Sequence, residues 1–102
     1  MPEYITVAST AELPPGERIV VEVKDHYIGI FNVDNRYYAI EDVCTHDDGP
    51  VAEGDLQGTI IECPRHGAKF DITTGAVVSM PAIKPIPHYA VRVNGDDVQI
   101  LI

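Results

Sequence analysis

The sequence has little cysteine, few basic residues and no long apolar run, and each shortage excludes a class of protein. Its 102 residues include two cysteines, fewer than small secreted proteins usually need for a disulfide framework. Seven lysines and arginines against sixteen aspartates and glutamates give a net charge of −9, which disfavours nucleic acid and anionic membranes as partners. The longest apolar stretch, residues 27–31, is far shorter than a membrane-spanning helix, and no signal peptide is visible. We therefore expect an acidic, soluble, cytoplasmic protein with no membrane anchor.

Short apolar runs separated by turn-forming pairs predict an all-β chain. Asp34-Asn35 and Asn94-Gly95 lie between such runs and tolerate the positive φ of tight hairpins. No stretch keeps a helical period, so we expect at most one helical turn, over residues 9–13. The predicted strands, rich in Val, Ile and Tyr, cover residues 18–23, 27–33, 36–41, 59–62, 88–93 and 98–102.

A segment of different composition separates the strand-rich regions. Residues 1–42 and 84–102 contain most of the predicted strands, whereas residues 43–83 contain both cysteines and five of the eight glycines. We expect a single domain, 1–102, in which the segment 43–83 is a small inserted subdomain, mostly loops, on a β base. An insert so poor in apolar runs needs a further constraint to hold its shape.

The insert contains two Cys–His pairs. Cys-Thr-His at residues 44–46 is followed, after sixteen intervening residues, by Cys-Pro-Arg-His at residues 63–66. Chance would place histidine at both positions roughly 0.2% of the time, so the pairs indicate a metal site. Two thiolates and two imidazoles suit a tetrahedral zinc ion and equally one form of iron–sulfur cluster. Each loop brings one cysteine and one histidine, unlike most zinc fingers, and this favours a pair of irons. The candidate ligands are Cys44, His46, Cys63 and His66.

These two boxes resemble the cluster-binding boxes of the Rieske [2Fe-2S] proteins. The likeness continues through residues 70–71, 74–75 and 80–82 and, with the flanking strands, covers essentially the whole chain. The resemblance implies an antiparallel β sandwich or barrel as the base, with an inserted cluster-binding subdomain. It also implies one [2Fe-2S] cluster per chain.

The resemblance assigns a role to each candidate ligand. Cys44 and Cys63 would hold the inner iron of the cluster. His46 and His66 would hold the outer iron near the surface. The segment around Pro81 resembles the loop that covers the cluster in this family.

The resemblance also indicates a low reduction potential. Two neutral imidazoles in place of thiolates raise the potential of the class to about −150 to +300 mV. Cytochrome-bc members of the family have two further cysteines, a serine and a tyrosine, and the matching positions here are Gly49, Arg65, Ala68 and Phe70. Fewer hydrogen-bond donors stabilise the reduced, more negative cluster less, and seven acidic residues over 41–62 act in the same direction. We therefore expect a reduction potential of about −150 mV.

The function implied by the resemblance is that of an electron carrier that is not catalytic on its own. It would accept one electron from a flavin-dependent reductase and pass it to a terminal oxygenase or a related redox enzyme. Two alternatives remain open. One is a small subunit of a larger redox enzyme, such as an assimilatory nitrite reductase, and the other is a structural Cys2His2 zinc module.

Overall fold

The computed structural model describes residues 2–43, 49–64, 67–80 and 84–102. These residues form eleven strands that pair antiparallel and contain no helix, which confirms the all-β class. Within the described ranges, the chain therefore has no helix that could cross a bilayer. The strands are β1 (Tyr4–Ser9), β2 (Arg18–Val23), β3 (His26–Val33), β4 (Arg36–Glu41), β5 (Asp55–Gln57), β6 (Ile60–Glu62), β7 (Lys69–Asp71), β8 (Val77–Ser79), β9 (His88–Tyr89), β10 (Val91–Asn94) and β11 (Asp97–Leu101).

Two sheets form the base of the molecule. One has the strand order β1-β11-β10 and the other β2-β3-β4-β9. Alternate residues of β3 and β11 are apolar and point into the space between these sheets, as the period of two along a strand requires. The buried side chains of this base core are Ala8, Leu13, Ile28, Ile30, Ala39, Val98 and Ile100.

The predicted turns are present in the structure. Asp34 and Asn35 have φ of 53° and 69°, and in the other hairpin Gly95 has φ of 64°. Residues 9–13 form one turn, in which Ser9 Oγ accepts a hydrogen bond from Glu12 N at 3.2 Å. Ser9 N donates in return to Glu12 Oε1 at 3.0 Å, so this turn is closed in the manner of a helix cap.

The predicted strand over 88–93 is two strands in two sheets. β9 pairs with β4, whereas β10 pairs with β11, and Ala90 between them is where the chain changes sheet. Ala90 O still accepts a hydrogen bond from Leu101 N at 3.0 Å. The apolar alternation runs on through this corner, so the pattern alone does not reveal the break.

The insert contains a sheet of its own, of which the sequence predicted only the strand over 59–62, where β6 lies. The strand order is β5-β6-β7-β8, and each strand has only three residues, too few to show a period of two in the sequence. Phe31 of β3 belongs to the same buried cluster as residues of the insert, whereas its neighbour Ile30 belongs to the base core. The insert is held by a core that it shares with the base: Phe31, Ile40, Val51, Ala52, Ile61, Cys63, Ala68, Phe70, Ile72 and Ile86.

Candidate metal centre

Of the four predicted ligands, Cys63 lies within the described residues. It follows β6 directly, is 1% exposed and is a free cysteine. Cys44, His46 and His66 fall outside the described ranges, as do Arg65 and Pro81. The structure therefore tests the surroundings of one ligand and the chain segments that lead into and out of both boxes.

The described residues of the second box, between β6 and β7, are connected by two backbone hydrogen bonds. Cys63 N donates to Ala68 O at 2.7 Å, and Gly67 N donates to Cys63 O at 3.1 Å. Gly67 has φ of 77°, and a Cβ at this position would meet no atom closer than 3.8 Å. Glycine is favoured here by backbone conformation and not by lack of space. The two hydrogen bonds satisfy both backbone groups of Cys63 and fix it at the base of the loop.

The first box begins where β4 ends, and the side chain of Asp42 closes its loop. Asp42 Oδ1 accepts hydrogen bonds from Val51 N at 2.8 Å and from Ala52 N at 2.7 Å. Asp42 N donates to Tyr27 O at 2.7 Å, which fixes the end of the strand. Residues 42 and 51–52, which flank the first box in the sequence, are thus held together by one carboxylate.

Residues 51–54, which we call the keystone turn, contact the residues just before each box, Asp42 and Glu62. Gly54 N donates to Val51 O at 2.9 Å, which closes the turn. A Cβ at Gly54 would overlap the backbone carbonyl oxygen of Glu62, the residue before Cys63. The keystone turn is therefore hydrogen-bonded to Asp42, just before the first box, and packed against Glu62, just before the second box.

Cys63 lies among apolar side chains. Ala68 and Phe70 are fully buried in the same cluster as Cys63, with Val51 and Ala52. Neither Ala68 nor Phe70 has a side-chain hydrogen-bond donor. This agrees with the interpretation that these two positions do not stabilise additional negative charge at a sulfur atom.

A second carboxylate holds the end of β4. Glu41 Oε1 lies 2.6 Å from His26 Nδ1 and accepts a hydrogen bond from the Tyr89 hydroxyl at 3.1 Å. Burial, together with the Glu41 carboxylate, raises the pKa of Tyr89 to about 12. Tyr89 therefore stays a neutral donor throughout the physiological range, and β3, β4 and β9 are joined just before the first box.

Sequence reasoning missed Asp42 and Arg18, which are the polar anchors of the site. Arg18 Nη1 donates to Ala52 O at 2.9 Å and to Gly54 O at 2.6 Å, so it reaches from β2 to the keystone turn. Asp42 is one of seven acidic residues over 41–62, and residue type alone does not distinguish it from the others. A position directly between a strand and a ligand box is the one available signal for Asp42, and nothing in the sequence singles out Arg18.

The donor set fits an iron–sulfur cluster. Cys63 offers a buried sulfur that has no disulfide partner, on a loop whose backbone is already hydrogen-bonded. Such a thiol can serve as a soft thiolate ligand, and the sequence adds one more cysteine and two histidines in the same two boxes.

Comparison with known proteins points to one family. Residues 3–90 match the family model described as the Rieske [2Fe-2S] domain. The chain is 38% identical over 98 residues to the biphenyl dioxygenase ferredoxin subunit of Pseudomonas sp. (strain KKS102), covering 95% of this chain and 90% of that protein. The solved ferredoxin of carbazole 1,9a-dioxygenase from Nocardioides aromaticivorans IC177 has a TM-score of 0.89 at 29% identity, over 97% and 95% of the two chains. A chain of the solved complex of reduced oxygenase and oxidized ferredoxin in carbazole 1,9a-dioxygenase has a TM-score of 0.88 at 33% identity, over 95% and 91%.

Proposed function

The chain belongs to the Rieske [2Fe-2S] domain family, and from this premise we propose that it carries single electrons to the terminal oxygenase of a dioxygenase system. The observation that carries the proposal is the match to the biphenyl dioxygenase ferredoxin subunit, which covers 95% of this chain and 90% of that relative. A second observation supports it, since a similar chain occurs in a solved complex of an oxygenase with its ferredoxin.

The cluster is assigned to Cys44, His46, Cys63 and His66. When bound, a [2Fe-2S] cluster supplies reversible one-electron chemistry at these residues. The thiolates of Cys44 and Cys63 would bind one iron, and the imidazoles of His46 and His66 would bind the other. Support comes from the donor types, from their spacing, and from the buried thiol of Cys63 at the base of its loop.

The chain acts as a carrier and the chemistry on the organic substrate belongs to its partner. Its relatives are named as ferredoxin subunits or components of dioxygenases, separate from the oxygenases that they serve. The electron donor is a flavin-dependent reductase, an assignment that rests on the family resemblance. The charge of −9 favours partners with basic docking surfaces, because opposite charges speed the encounter of two proteins.

A stopped-flow experiment tests the electron transfer to an oxygenase. The protein is reduced without oxygen and mixed with a purified terminal oxygenase of a biphenyl dioxygenase system. We expect its visible absorbance to return to the oxidised form faster than in buffer alone. Failure of this transfer, together with copurification of a large redox subunit, would favour the small-subunit alternative. One zinc per chain with no acid-labile sulfide would establish the zinc module.

The apolar surroundings of Cys63 lead to a prediction about the reduction potential. Ala68→Ser introduces a hydroxyl donor into the buried cluster that contains Cys63. A hydrogen bond of about 1 kcal/mol from this hydroxyl to the reduced state corresponds to about +40 mV for one electron. Ala39→Ser is the matched control, because Ala39 is 1% exposed in the base core, away from Cys63. Protein-film voltammetry on both variants checks the difference. Equal potentials would show that the missing donor at position 68 does not lower the potential.

A further inference from the structure

We infer that Asp42 and Arg18 are positioning residues for the cluster, acting through the keystone turn, residues 51–54. The inference rests on the proposed function only in requiring that the two boxes hold a cluster. It concerns a different property of the molecule, namely what keeps the boxes at a fixed separation.

Asp42 holds the amide side of the turn. Its Oδ1 accepts the N–H groups of Val51 and Ala52 at 2.8 and 2.7 Å. Val51 and Ala52 are 0% and 1% exposed, so water has little access to replace a lost acceptor. Removing the Asp42 carboxylate would leave two buried amides without their partner, which costs more than an ordinary surface hydrogen bond.

Arg18 holds the carbonyl side of the same turn. Its Nη1 donates to Ala52 O and to Gly54 O at 2.9 and 2.6 Å, and its guanidinium carbon lies 5.8 Å from the centre of the Phe31 ring. Arg18 belongs to β2 of the base, so this side chain ties the turn to the base sheet. A planar guanidinium packed on an aromatic ring is well suited to such a rigid link.

Close packing at two glycines also holds the keystone turn in place. A Cβ at Gly29 of β3 would come within 2.9 Å of Ala52 Cβ, so the absence of a side chain at Gly29 makes room for Ala52. On the other side, Gly54 lies against the backbone of Glu62 just before Cys63. A shift of the keystone turn would therefore displace the first box through Asp42 and the second box through Glu62.

This arrangement implies that the separation of the two ligand boxes depends on the hydrogen bonds that Asp42 and Arg18 make to the keystone turn. Asp42 accepts hydrogen bonds from amide groups of the turn and Arg18 donates to its carbonyl groups, and Cys63 is a free cysteine. Loss of either side chain should loosen the cluster before it unfolds the base, because the base core does not include the turn.

The test distinguishes the role of Asp42 as a hydrogen-bond acceptor from the role of its negative charge. Asp42→Asn keeps an oxygen acceptor and removes the charge, whereas Asp42→Ala removes both. We expect iron release to a chelator to be about tenfold faster or more in Asp42→Ala, and within about threefold of the native rate in Asp42→Asn. Asp55→Ala is the matched charge control, since Asp55 begins β5 in the same insert and is exposed.

Arg18 is tested in the same assay. Arg18→Lys replaces the planar guanidinium by a compact ammonium group, so this variant should release iron faster than the native protein. Arg18→Ala should release iron faster still. Arg92→Ala is the control, because Arg92 lies on β10 with Gln99 and Tyr4 as its partners. The double variant Asp42→Ala/Arg18→Ala should show less than the summed effect, since both side chains act through one turn.

Hydrogen exchange provides a readout that does not depend on iron. The amides of residues 51 and 52 should lose protection in Asp42→Ala and keep most of it in Asp42→Asn. The inference would be overturned if Asp42→Ala showed native-like hydrogen exchange and iron release, or if both Asp42 variants lost protection and iron equally. In either case, a full cluster in the native protein would still uphold the proposed function. Native protein purified without iron would overturn the proposed function and the cluster role of this turn together.

Discussion

Cys63→Ser is expected to yield a folded protein without stoichiometric iron or acid-labile sulfide. A serine hydroxyl is a harder and far less acidic donor than a thiol, so it is a poor ligand for an iron–sulfur cluster. The site is 1% exposed, which leaves little room for water to take the place of the missing thiolate. Metal analysis, sulfide analysis and the visible spectrum of the purified variant measure the loss.

The control for Cys63→Ser must perturb the same core without removing a ligand. Ile61→Val is suitable, because Ile61 is fully buried in the same cluster and lies two residues before Cys63. This change should cost about 1 kcal/mol of stability and leave the cluster content at the native level. A full cluster in Cys63→Ser would remove Cys63 from the ligand set.

Gly54→Ala is expected to lower the free energy of unfolding by about 3 kcal/mol and to reduce cluster content as well. The added methyl group would overlap the backbone carbonyl oxygen of Glu62, and backbone cannot move aside as a flexible side chain does. Relief would require β5 and β6 to separate at the point where the second box begins. Urea unfolding followed by circular dichroism measures the free energy.

Gly58→Ala separates this steric effect from a general intolerance of the insert to alanine. Gly58 has φ of 61°, and a Cβ there would meet no atom within 4 Å. The variant should lose only the cost of placing an L-residue in the left-handed region, about 1 to 2 kcal/mol, and keep its cluster. Equal losses of stability in the two variants would contradict the close contact between the keystone turn and Glu62.

The base of the fold could be predicted because its strands are long enough to show a pattern. β2 and β4 coincide with predicted strands, and β3 starts one residue earlier than predicted. β1 was missed, although its sequence is apolar, because no turn-forming pair marks its start. The three-residue strands of the insert each place one apolar side chain in or against the shared core, such as Phe70 in β7, and a single residue carries no periodicity.

The ligand set could be proposed from the sequence because rare residue types recur at a specific spacing. The polar anchors could not, since a hydrogen bond between Arg18 and Gly54 joins residues 36 positions apart and leaves no local trace. The same holds for Asp42, whose two amide partners lie nine and ten residues further on. Chemistry that depends on residue type is visible in the sequence, whereas contacts made by common residues depend on the fold.

Pulsed electron paramagnetic resonance on the chemically reduced protein tests the central claim most directly. A cluster with two imidazole ligands, from His46 and His66, predicts one unpaired spin per chain coupled to two nitrogen nuclei of coordinated rings. A reduced protein with no such spin, or with a cluster signal lacking coordinated nitrogen, would contradict the ligand set on which the proposed electron transfer depends.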